Sequence, residues 1–131
     1  MAHILLVDDE PLVVRTLSNA LATKDHTFVT ASNGIDGLKR FAEGTFDLVI
    51  TDIIMPDMEG MEMIMEIRQR APNAKILAMS GGGRTVNREF MEMAEGLGAM
   101  ATLKKPIRLA EFFDALKICL NERPRLVGQA R

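Results

Sequence analysis

With 131 residues, 47% of them hydrophobic, the chain is long enough to bury one sizeable core and too short for two ordinary domains. Sixteen basic against eighteen acidic side chains give a formal net charge of -2, which draws it neither to nucleic acid nor to an anionic membrane and points to proteins as partners. The single cysteine, Cys119, excludes a disulfide framework and a cysteine-rich metal site, and a chain without Trp or Tyr offers no stacking platform for bases.

The amino terminus runs from Met1-Ala2-His3 into an apolar stretch that Asp8 interrupts. It is too short to span a bilayer and unlike a signal peptide, so a cytoplasmic protein is expected. His3 to Val7 reads as the first strand. Pro11 to Thr23 follows as a helix, with Pro11 suited to the first turn and Leu12, Val13, Leu17, Ala20 and Leu21 on one stripe. Thr27 to Ala31 is the second strand, and the turn signal Asn33-Gly34 precedes a short helix, Ile35 to Glu43, with Leu38 and Phe41 or Ala42 facing inward. Leu48 to Thr51 is the third strand. Gly60 leads into a helix over Met61 to Arg70, whose buried stripe is Met63, Ile64 and Ile67 and which Pro72-Asn73 stops. Lys75 to Met79 is the fourth strand, and a helix over Val86 to Leu97 carries Phe90, Met91 and Ala94 and ends at Gly98. Ala101 to Lys104 is the fifth strand, and Leu109 to Asn121 the last helix, with Phe112, Phe113, Leu116 and Leu120 inward. The first, third and fourth strands are nearly all apolar and read as central. The methionines at helical spacing, and Cys119, read as packing residues. Residues 1-121 form one domain, followed by a short polar tail over 122-131.

Strands alternating with helices define an α/β fold with a parallel sheet covered on both faces. In such sheets functional groups gather at the carboxyl ends of the strands. Here those ends carry Asp8-Asp9, Asp52, Ser80-Gly81 and Lys105-Pro106. Three carboxylates at one edge repel one another unless a cation sits among them. An oxygen-only ligand set with room for waters suits Mg²⁺ better than Ca²⁺, with Mn²⁺ able to substitute. Asp52, from the middle strand, is placed to act as a nucleophile toward phosphorus, with the Lys105 ammonium offsetting charge on the transferring group and Ser80 donating a hydrogen bond to it. Taken singly, these residues have plainer uses: Asp9 or Glu10 can cap the helix that begins at Pro11, and Asp52 before a Met-Pro segment can form a turn.

In combination, Ile4-Leu5-Leu6-Val7-Asp8-Asp9-Glu10, the run Asp47 to Pro56 centred on Asp52, Gly60, Ser80 and Lys105-Pro106 resemble the response-regulator receiver family, the CheY-like superfamily, over nearly the whole chain. The resemblance implies a flavodoxin-like sheet in strand order 2-1-3-4-5 and a stand-alone signalling domain of a two-component system, with no further catalytic machinery. It implies Mg²⁺ held by Asp8, Asp9, Asp52 and the backbone carbonyl of Ile54, phosphorylation of Asp52, and phosphoryl oxygens bound by Ser80 and Lys105. It also implies a phosphohistidine donor on a sensor histidine kinase or histidine phosphotransfer protein, slow self-catalysed loss of the phosphoryl group, a cis Lys105-Pro106 bond, and output through the face of the fourth helix, fifth strand and fifth helix onto a downstream protein. A monomer or weak dimer is expected.

One position departs from the family pattern. Many relatives carry Tyr or Phe three residues before the lysine, where this chain has Thr102. The aromatic switch cannot operate as such, and the run Gly81-Gly82-Gly83-Arg84 suggests that the loop carrying Ser80, together with the fourth helix, takes over the change. Three other readings compete. A haloacid-dehalogenase-type phosphatase wants a second Asp at the place of Ile54. A flavodoxin wants a glycine- and hydroxyl-rich phosphate loop where Asp8-Asp9-Glu10 stand. A receiver-like docking module that takes no phosphate has no need of the filled acceptor, metal and lysine positions.

Overall fold

The computed structural model describes residues 1-53, 60-81 and 85-121. Ten elements alternate along the chain: β1 (His3–Val7), α1 (Pro11–Thr23), β2 (Thr27–Ala31), α2 (Gly34–Glu43), β3 (Leu48–Asp52), α3 (Gly60–Arg70), β4 (Ile76–Ser80), α4 (Thr85–Gly96), β5 (Ala101–Lys104) and α5 (Leu109–Asn121). All strand pairings are parallel, in the order β2-β1-β3-β4-β5, so the flavodoxin-like topology is the one found. The three apolar strands β1, β3 and β4 occupy the centre, as their composition requires.

Strand periodicity sorts the core into two halves. Ile4, Leu6, Ile50, Leu77 and Met79 face Leu17 and Leu21 of α1 and Phe112, Leu116 and Cys119 of α5. The alternate residues Leu5, Val7, Val49, Ile76 and Ala78 face Leu38 of α2, Met63, Ile64 and Ile67 of α3, and Ala94 of α4. Each half removes a continuous aliphatic surface from water, the dominant favourable term in folding.

Several expectations need adjusting. β3 and β4 each run one residue past the predicted end, because Asp52 pairs with Met79 and Ser80 with Lys104 although both side chains are polar. Lys75 lies outside β4. Leu12 is 73% exposed rather than on the buried stripe; at 100° per residue it is rotated away from Val13 and Leu17, and Val14 packs in its stead. Phe41, not Ala42, turns inward on α2. Asn33 acts as the N-cap of α2, its side chain accepting from the Asp36 N–H at 2.8 Å. α4 ends at Gly96, and Gly98 takes a positive φ of 90° just beyond it.

Arg68 is a buried charged residue outside the predicted apolar stripe of Met63, Ile64 and Ile67. Four residues after Ile64, it lies on the apolar side of α3 and is 7% exposed. Its guanidinium donates to the carbonyls of Leu97 (3.0 Å), Pro72 (2.7 Å) and Ala74 (2.8 Å), tying the end of α4 to the loop after α3. Among the described residues no helix is long and apolar enough to cross a membrane. Ile54, the run Gly82-Gly83-Arg84, the Phe90 side chain and the tail over 122-131 lie outside the described residues.

Candidate functional site at the carboxyl edge of the sheet

The sheet register brings four chain segments to one edge. Val7 and Thr51 are paired on β1 and β3, so Asp8 and Asp52 follow side by side. Ser80 and Lys104 close the β4–β5 ladder, and the next amide, Lys105 N–H, donates to the Ser80 carbonyl at 2.8 Å. Asp8, Asp52, Ser80 and Lys105 are all buried, at 1%, 3%, 1% and 8% exposure, which is unusual company for three ionisable groups. The Lys105-Pro106 bond is cis.

Lys105 is the hub. Its Nζ donates to Asp52 Oδ2 at 2.9 Å and to Glu10 Oε1 at 2.5 Å, and lies 2.8 Å from Asp8 Oδ2. The last contact is an ion pair without hydrogen-bond alignment, so Asp8 Oδ2 is a buried oxygen with no hydrogen-bond partner among the described residues. Asp8 Oδ1 accepts from the Glu10 N–H at 2.8 Å. Burial pushes the Asp8 carboxyl above its ordinary range, outweighing the pull of Lys105 and of the Glu10 amide. Burial works against the Lys105 charge too, but Asp8, Glu10 and Asp52 together push its ammonium well above the usual lysine range. The ammonium therefore stays charged.

Asp9 and Glu10 are exposed at the rim, and one carboxylate oxygen from each of Asp8, Asp9, Glu10 and Asp52 lies within 4.8 Å of the others. Four clustered carboxylates, beside a buried Asp8 oxygen with no hydrogen-bond partner among the described residues, fit a hard divalent cation. The donor set is compatible with Mg²⁺. Ser80 stands at the neighbouring strand end, its hydroxyl donating to the Gly81 carbonyl at 3.3 Å. Sequence reasoning brought Asp8, Asp9, Asp52, Ser80 and Lys105 to this edge, and the structure assembles them there. It missed Glu10, which stood only as a capping candidate: Glu10 occupies the N-cap position of α1 but makes no side-chain cap bond. An acidic residue directly after an acidic pair was the available signal.

The model of the response regulator receiver domain matches residues 4–117. The chain belongs to that family. This receiver domain is 30% identical to the transcriptional regulatory protein GlrR of Escherichia coli over 92% of its own length, and spans only 27% of GlrR. It is also 30% identical to the chemotaxis protein CheY of Listeria monocytogenes, covering 89% of this chain and 97% of that one. Among solved structures, the response regulator TrrA of Thermotoga maritima, crystallised in complex with Mg²⁺-BeF, matches with a TM-score of 0.76 and 33% identity over 89% of this chain and 97% of that one. The chain thus carries a two-component signal-transduction receiver domain, of a family whose members are generally phosphoacceptors that work with histidine kinases and downstream targets.

Proposed function

We propose that Asp52 is the phosphoacceptor of this receiver. The observation that carries the proposal is the buried Asp52 carboxylate with one oxygen 2.9 Å from the equally buried Lys105 ammonium, beside an acidic pocket. In the reaction an Asp52 oxygen attacks phosphorus, forming an acyl phosphate. The bond from phosphorus to the donor breaks, and its electron pair leaves with the imidazole nitrogen of a phosphohistidine or with the acetate of acetyl phosphate. Lys105 counters the charge on the phosphoryl oxygens, and Ser80 turns its hydroxyl to them. Asp8, Asp9 and Asp52 would hold Mg²⁺, with Mn²⁺ as a substitute. When bound, the ion offsets negative charge on the transferring group.

The donor is a sensor histidine kinase or a histidine phosphotransfer protein, and water later removes the phosphoryl group without a separate enzyme. Output runs through contacts of α4, β5 and α5 with a downstream protein. The test is to mix the purified protein with Mg²⁺ and acetyl phosphate and look for acid-stable, base-labile phosphate. The expected result is one label, at Asp52, absent from Asp52→Asn. An unlabelled wild type, or equal labelling of the variant, overturns the assignment.

A further inference from the structure

We propose that Glu10 is a positioning residue that occupies the Lys105 ammonium in the unphosphorylated protein, so that an arriving phosphoryl group must displace it. The inference rests on Asp52 and Lys105 having the roles proposed above. A lysine ammonium offers three N–H donors and no more. Here the ammonium donates to Asp52 at 2.9 Å and to Glu10 at 2.5 Å, and its remaining side faces Asp8 in an ion pair at 2.8 Å. The side chains of Asp8 and Asp52 are 0% and 4% exposed and are held by buried strand ends, whereas that of Glu10 is 56% exposed. Of the three partners, Glu10 is the one with water to turn into.

Two further observations say that Glu10 is set there for Lys105 rather than for α1. It makes no capping bond to the helix it begins. Its backbone N–H is fixed by Asp8 Oδ1 at 2.8 Å, which anchors its Cα next to the acidic pocket. Glu10 and Lys105 also line one open cleft with Leu12 and Pro106, so the carboxylate has space to turn away from the ammonium. A phosphoryl oxygen on Asp52 needs a Lys105 donor, and Glu10 holds one by the shortest contact of the set. With its Glu10 end open to water, such an ion pair shifts an equilibrium by about 1.5- to 5-fold.

The experiment measures the labelling rate with acetyl phosphate at saturating Mg²⁺ for wild type, Glu10→Gln and Glu10→Asp, alongside Mg²⁺ affinity by calorimetry. Both variants are expected to label about two- to fivefold faster at saturating Mg²⁺, where a change in Mg²⁺ affinity does not limit the rate. Glu10→Asp is the discriminating variant, because it keeps the charge at the mouth but draws it back from Lys105. If Glu10→Gln speeds up while Glu10→Asp stays at the wild-type rate, simple charge repulsion is at work and the proposal fails. Slower labelling together with weaker Mg²⁺ binding makes Glu10 a metal ligand and also overturns it. Rates equal across all three proteins remove this inference alone, whereas a wild type that takes no label removes the Asp52 reading with it.

Discussion

The backbone carbonyl of Asp52 occupies the place where a Cβ on Gly60 would stand, so the first residue of α3 is pressed directly against the strand end that carries the candidate acceptor. The next atoms a Cβ would meet, Ile53 Cα at 2.7 Å and Ile53 O at 2.8 Å, are also backbone, so no side-chain rotation relieves the clash. Gly60→Ala is expected to destabilise the domain by about 3 kcal/mol and to lower Tm by roughly 10 °C, with loss of Asp52 labelling in the fraction that still folds. Gly81→Ala is the control: among the described residues a Cβ there meets nothing within 4 Å, and its Tm should stay within about 2 °C of wild type. Parallel thermal melts check both.

Arg68 offers a second stability test, remote from the acidic pocket. Its guanidinium serves the carbonyls of Leu97, Pro72 and Ala74, and burial lowers its proton affinity without removing its charge. Arg68→Leu leaves those acceptors without their donor and should cost about 3 kcal/mol. Arg68→Lys should recover less than half of that, since one ammonium on a single stem cannot reproduce the planar fork. Urea midpoints measure both, and a midpoint for Arg68→Leu equal to wild type would show that water replaces the guanidinium without loss.

These residues mark where the sequence was legible and where it was not. The alternation of β-branched runs and helical stripes predicted every element, because each strand and helix buries a face whose period is written in its own residues. It predicted the edge cluster for the same reason: Asp8, Asp52, Ser80 and Lys105 each follow a strand, and a parallel sheet collects such positions. The errors came from letting polarity decide a boundary or a burial. Asp52 and Ser80 were placed past the strands because they are polar, yet their backbones pair. Arg68 falls on the spacing of Ile64, four residues on, but its charge hides it from a stripe defined by apolar residues. Glu10 was local in sequence, but its partner Lys105 is 95 residues away, and no local pattern reports such a contact.

The buried Asp8 carboxylate sets a pH-dependent trade between stability and site chemistry. Its folded proton affinity is raised above the ordinary 3.8, mainly by burial. A group raised in the fold contributes most at low pH, and its contribution falls as pH rises from 3.8 through the higher folded value. At neutral pH in metal-free buffer, Asp8→Asn should therefore be more stable than wild type by about 1 kcal/mol. The gap should shrink as pH is lowered toward 3.8. Adding Mg²⁺ should raise the Tm of wild type and leave that of Asp8→Asn nearly unchanged, because only a fold that binds the ion gains from it. Melts with and without Mg²⁺ at two pH values decide; a less stable Asp8→Asn at neutral pH would mean that its ion pair with Lys105 outweighs the burial.

Activation in this receiver has to work around Thr102. That residue sits half-buried on β5, paired with Ala78, and a threonine has no ring to swing into a space vacated by the Ser80 hydroxyl. What remains near Ser80 is the chain that leaves it: Gly81, whose missing side chain meets no neighbour among the described residues, and then α4, which packs on β4 and β5. Glycine lowers the barrier to re-aiming the backbone that carries the hydroxyl, and α4 is the first rigid element such a movement reaches. Arg68 holds the far end of α4 through the Leu97 carbonyl, so the change should be largest at the end nearest Ser80 and fade toward Leu97. Amide exchange with and without beryllofluoride should show altered protection graded in that direction, and Arg68→Lys should flatten the gradient. Identical exchange from Ser80 to Leu97 in both states would place the activation change elsewhere.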